Sequence, residues 1–128
     1  MSVPLYAASD AVSSVLGFAL DGLAQRQRTI ANNIANVDTP DFRATSIDFE
    51  SALRSAISDG GTDAGIESAV ANSSPVALAT DTPVGANGNN VDLRKETLAA
   101  MQSQFQYQMV ARAVTDRFDL VRTVAQAM

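Results

Sequence analysis

The sequence predicts an elongated, all-α protein in which a long helix near each terminus pairs with the other as a coiled-coil-like hairpin, around a flexible, mostly irregular middle. Three observations carry that prediction. A heptad seam runs through the first third of the chain, a stretch without Gly or Pro fills the last third, and the segment between them has no sustained period. The chain divides accordingly into residues 1–43, 44–59, 60–90 and 91–128.

In the first segment Leu16, Leu20, Leu23, Gln27, Ile30, Ile34 and Val37 are spaced alternately four and three apart, an a/d pattern broken only by Gln27. Ser9 or Asp10 is the candidate N-cap. At the other end Thr39 precedes Pro40, whose ring disfavours the α region at Thr39, so the helix is expected to stop near Val37 or Asp38. Asn32, Asn33 and Asn36 crowd that last turn, off the seam. Asparagine is a mediocre helix former, so the cluster reads in two ways: a solvated, fraying end, or amides that donate and accept across a contact with another chain.

After the proline, Asp48 is placed to cap a short helix stacking Phe49, Leu53 and Ile57, which Asp59-Gly60-Gly61 then ends. Residues 60–90 are rich in Gly, Ser, Thr, Asn and Ala, hold Pro75 and Pro83 and contain no aromatic residue. They read as a loosely ordered insert, with a short extended piece near Pro75 to Ala79. From Val91 the pattern is helical again, with Asp92 as cap. Leu98, Met101, Phe105 and Met109 form one apolar stripe, assigned to the seam with the first helix. Tyr107, Val110, Val114, Phe118 and Val121 form a second, assigned to contacts between subunits.

Composition narrows the chemistry. A chain of 128 residues with five Phe, two Tyr and no Trp has a thin core of its own, so neighbouring chains are expected to share in its stability. It has no cysteine and no histidine, which removes disulfides, Cys/His zinc sites, thiol nucleophiles and His-based triads. Net charge is −5, concentrated in residues 44–90, and no basic stripe suits nucleic acid. Asp48 and Glu50 point apart at their spacing. Asp59, Asp63 and Glu67 lack calcium-loop spacing, and Gly85-x-x-Gly88 is too short for a phosphate loop. No catalytic site, cofactor, metal or small-molecule substrate is expected, and no enzyme. MSVPLYAASD lacks the basic and apolar regions of a cleaved signal peptide.

Two separated blocks, ANNIANVDTPDFRATSIDFESAL and GNNVDLRKETLAAMQSQFQYQMVARAVTDRFDLVRTV, resemble the bacterial flagellar axial proteins, the subunits of rod, hook and filament. The N-I-A-N repeat, D-T-P followed by an aromatic, G-N-x-V-D and the Tyr107-Gln108 pair carry the resemblance. SIDFESAL narrows it to a proximal-rod branch, and a sister rod subunit shares both ends but not that run. The family commonly has Gly then Tyr after D-T-P. Here Asp41 and Phe42 stand there, so the turn loses a residue suited to positive φ but keeps an aromatic anchor.

The resemblance implies a subunit of the proximal rod, in the periplasmic space of the basal body, exported through the flagellar type III apparatus without a cleaved signal peptide. It implies polymerisation into a torque-transmitting shaft. Implied partners are copies of itself, other rod subunits, and the membrane-ring and junction proteins. Asn32, Asn33, Asn36, Asp38, Thr39, Pro40 and Phe42 become candidate interface residues beside the second stripe, and the free monomer is expected to be partly unfolded. A cytoplasmic coiled-coil adaptor or secretion chaperone is the alternative that the heptads alone allow.

Overall fold

The computed structural model describes residues 5–127, with side chains from residue 11 onward. Two long helices dominate it, α1 (Leu5–Ala35) and α4 (Leu93–Ala127), about 46 and 52 Å long at 1.5 Å per residue. They lie antiparallel: Asn33 meets Glu96, Arg26 meets Gln106, and Val110 packs against the cluster that holds Ala19 and Leu23. Between them come β1 (Thr45–Asp48), α2 (Glu50–Gly60), α3 (Asp63–Ala71) and β2 (Val76–Ala79). The two strands pair antiparallel, Thr45 opposite Ala79 and Asp48 opposite Val76.

The N-cap candidates Ser9 and Asp10 fall inside α1, and their side chains lie outside the described ones. The helix unwinds where the proline requires it, through the tighter bonds Val37 N–H to Ile34 O (3.2 Å) and Thr39 N–H to Asn36 O (3.0 Å). Asp92 caps α4, its carboxylate accepting from the Lys95 amide at 3.2 Å. At α2 the N-cap position falls on Phe49, without a side-chain cap, and Asp48, expected there, sits one residue earlier with its carboxylate accepting from the Ser51 amide (3.0 Å).

The core sits at the middle of α1. Ala19 and Leu23 pack against Ile47 of β1 and Phe49, with Phe18, Leu53 and Val110 closing around them. Gly22 makes this possible: a Cβ there would fall on the Phe49 ring, so only glycine lets the ring lie against the helix backbone.

Two expectations are corrected. Residues 60–90, read as irregular apart from a short extended piece near Pro75 to Ala79, contain the helix α3, and the extended piece is there as β2, so the described residues are mostly helical with one small sheet. Thr62 caps α3, its hydroxyl accepting from the Gly65 amide at 3.1 Å, and Val70 is buried. The strands exist through each other, which a local pattern cannot report. The second correction concerns α4. Leu98, Met101, Phe105 and Met109, assigned to the seam with α1, are exposed by 57, 67, 65 and 58%. The face turned to α1 instead repeats Glu96, Ser103, Val110 and Arg117 at seven-residue spacing, with Ala99 and Ala100 between them. Val110 and Val114, assigned to contacts between subunits, are half-buried on that inner side. Size decides the orientation beside Ile30 and Leu23, where α1 supplies the bulky side chains and α4 turns Ala99, Ala100 and Ser103 inward.

Candidate functional site

The end of α1 and the approach to α4 are laced together by asparagines. Asn33 is fully buried in the last turn of α1. Its Nδ2 donates to the Thr45 carbonyl (2.8 Å) and to Glu96 Oε1 (3.1 Å), while its Oδ1 accepts from the Thr45 amide (3.3 Å). The side-chain amide thus pairs with the first residue of β1 as a neighbouring strand would, and ties in the first turns of α4.

Asn89 and Asn90 complete the lacing from the other side. Asn89 Nδ2 donates to the carbonyls of Asn36 (2.8 Å) and Thr39 (2.7 Å), and its Oδ1 accepts from the Val91 amide (2.7 Å). Asn90 Oδ1 accepts from the Ala44 amide at 2.6 Å, and its backbone N–H donates to the Phe42 carbonyl at 3.2 Å. The Asp41 amide donates to the Asn87 carbonyl at 2.9 Å. Backbone groups in and on either side of the D-T-P turn, the carbonyls of Asn36 and Thr39 and the buried Ala44 amide, are satisfied by these two side chains.

Asp41 sits at φ 61°, the left-handed region, at the position where glycine was noted as customary. The turn therefore keeps the glycine-type conformation despite the aspartate. Gly88 faces it at φ 81°, and a Cβ on Gly88 would collide with the Asp41 carboxylate. The two residues fit only because one of them has no side chain.

Of the residues singled out at this hinge, Asn33 is enclosed by its own chain and is corrected from interface candidate to internal tie. Asn36 closes the helix end: Nδ2 donates to the Asn32 carbonyl (2.8 Å) and Oδ1 accepts from Thr39 Oγ1 (3.0 Å). Asn32, Asp38, Thr39 and Pro40 are exposed around the lacing, and Phe42 is half-buried. Asn89 and Asn90 were not singled out as site residues. Their signal was present, since G-N-N-V-D stands directly before a capped helix.

Arg26 forms a second node. Its guanidinium donates to the Ile47 carbonyl (2.6 Å), forms an ion pair with Glu50, and lies over the Phe49 ring at 4.7 Å. A longer bond of 3.4 Å reaches Gln106 on α4. Partial burial pushes the Glu50 carboxyl up, but the Arg26 hydrogen bonds and charge and local backbone donors outweigh it, so the group lies below its ordinary value. Asp48 is lowered as well, chiefly by its hydrogen bond from the Ser51 backbone.

Of the seam residues, Leu23 and Ile30 are buried, and Leu16, Leu20, Ile34 and Val37 half-buried. Beside them an open groove of about 510 Å³ runs between α1 and α4, floored by Ile30, Ile34 and Ala100 and rimmed by Gln27, Gln104, Tyr107 and Gln108. The opposite side of α4 carries the exposed stripe from Leu98 to Met109. Phe118, Leu120 and Val121 continue the apolar exposure toward the C-terminal end. Among the described residues no group of three or more acidic, His or Cys side chains is placed for a metal, and no helix is long and apolar enough to cross a membrane.

Residues 15–43, which include the core half of α1 and the hinge, match a family model described as flagella basal body rod protein. The chain is 35% identical over 105 residues to the flagellar basal body rod protein FlgB of Bacillus subtilis, covering 77% of this chain and 81% of that protein. It is 32% identical over 119 residues to FlgB of Borreliella burgdorferi, covering 82% and 88%. Against FlgB of Escherichia coli it is 29% identical over 134 residues, covering 92% and 97%.

Proposed function

The chain belongs to the FlgB family of flagellar basal body rod proteins, as a structural subunit of the rod, and we propose that it assembles there through the outer side of α4. The observation that carries this reading is the stripe of Leu98, Met101, Phe105 and Met109, large apolar side chains left in water on a helix whose other side is already occupied. Phe118 and Val121 are exposed on a different face of α4, in line with Val110 and Val114, and add a second apolar patch toward its C-terminal end, while Asn32, Asp38 and Thr39, with Pro40, supply an exposed, mostly polar rim at the hinge.

Magnitudes favour a polymer over a stable pair. Burying each stripe residue contributes about 1.5–3 kcal/mol. Four of them give roughly the 4–15 kcal/mol that association costs in lost motion and ordering. One contact is therefore weak, and a subunit held by several neighbours at once is firmly placed. A head-to-tail contact repeated with a screw rotation makes a tube. In this reading the tube is the proximal rod, within the periplasmic space, and it transmits torque. The α1–α4 pair packs in coiled-coil fashion. The partners are further copies, other rod subunits, and ring and junction proteins, and the subunit arrives through the type III export apparatus.

Phe105→Glu and Met101→Glu test the reading, because both side chains leave the internal packing untouched. Each variant is expected to keep the far-ultraviolet circular dichroism of the parent but to abolish motility and to be missing from isolated basal bodies. Normal motility with the variant incorporated would show that the stripe is not an assembly surface.

A further inference from the structure

We propose that Asn87–Gly88 is a site of spontaneous deamidation, and that the asparagine lacing governs how fast it reacts. Asn87 is the only asparagine followed by glycine in the chain, and it is exposed. Glycine offers no side chain to shield its amide nitrogen, which can attack the neighbouring Asn side-chain carbon. In that step the Gly88 N–Cγ bond forms, the Cγ–Nδ2 bond breaks, and ammonia leaves with the proton lost from the Gly88 amide. Water then opens the five-membered imide at either carbonyl, giving aspartate or isoaspartate. No redox partner is needed.

The fold acts on both reacting groups. The Gly88 amide donates to the Gly85 carbonyl at 3.0 Å, which keeps its proton in place. Asn87 Oδ1 accepts from the Asn89 amide at 3.1 Å, and the Asn87 carbonyl accepts from the Asp41 amide at 2.9 Å, which fixes the side chain and main chain on either side of the attacked carbon. Cyclisation requires both groups to turn out of these bonds, so it proceeds from a locally opened state.

The products undo the arrangement that restrained them. Isoaspartate adds a methylene to the main chain between residues 87 and 88, and turns the carbonyl used by Asp41 into a free carboxylate. That new negative charge stands beside the Asp41 carboxylate, which already lies against Gly88. A deamidated chain therefore holds the D-T-P turn less firmly to the start of α4.

The full-length chain is incubated in mildly alkaline buffer, with and without denaturing urea. Peptide mapping by mass spectrometry follows the amide-to-acid conversion at residue 87, and fragmentation distinguishes isoaspartate. Modification is expected at this position in urea, and roughly tenfold more slowly in buffer. Asn89→Ala, which removes the ties to Asn36 and Thr39, is expected to bring the rate in buffer toward the rate in urea, and Asn87→Gln to abolish the reaction. Equal rates for the parent chain in buffer and in urea would overturn the proposal, and so would conversion confined to other asparagines.

Discussion

Asn33 shows how one side chain can stand in for a strand. Its amide answers both backbone groups of Thr45 and adds a bond to Glu96, so replacing it strands three partners at once. Asn33→Ala is expected to cost about 2–3 kcal/mol in urea unfolding, because buried groups lose their partners. Exposed Asn32→Ala one residue earlier should change stability by no more than about 0.5 kcal/mol. Equal effects at the two positions would mean that the Asn33 bonds contribute nothing. Asp41 tests the turn in the opposite direction. Its left-handed backbone disfavours any side chain, so Asp41→Gly is expected to raise the unfolding free energy by up to about 1 kcal/mol, after allowing for the extra freedom glycine gives the unfolded chain. A loss of stability would show that the aspartate makes a compensating interaction.

At the scale of elements, α1, α2 and α4 were legible as helices, whereas α3 and the orientation of α4 were not. The heptad seam of α1, the break at the D-T-P turn, the Asp92 cap and the length of α4 all follow from local rules, since each depends on residues within a turn or two of one another. Which side of α4 faces α1 is a question of fit between helices. Large apolar residues suggested the stripe from Leu98 to Met109, but the bulk comes from Leu23, Ile30 and Phe49, leaving room for Ala99, Ala100 and Ser103. The same limit hid the internal role of Asn33 and the β1–β2 pair, whose partners lie far along the chain. Gly22 belongs to this scale. Alanine is the better helix former by about 1 kcal/mol, yet Gly22→Ala is expected to lower the thermal midpoint, because displacing Phe49 costs about 1–3 kcal/mol. An unchanged or raised midpoint would mean that the ring can move away freely.

For the molecule as a whole, acid should loosen the join between α1 and the β1–α2 segment before it affects the helices themselves. The Glu50 and Asp48 carboxyls are held below their ordinary values of 4.5 and 3.8 in the folded chain. Groups lowered in this way stabilise the fold at pH above the ordinary carboxylate range, and the contribution disappears as pH falls through the folded values. Urea midpoints of the parent are therefore expected to drop below about pH 4.5, while Glu50→Gln starts lower at neutral pH and falls less steeply. Parallel curves would indicate that the Arg26–Glu50 pair does not couple to unfolding.

The asparagine lacing lies at one end of the α1–α4 pair, and the last turns of α4, from Phe118 onward, are exposed. Two rods pinned at one end respond unevenly to load. Tension that spreads their free tips peels them apart a turn at a time, so each turn resists alone. Tension along their length shears every turn together, and the resistances add. The subunit is consequently stiff lengthwise and compliant at the exposed end of α4, while the pinned end keeps its shape.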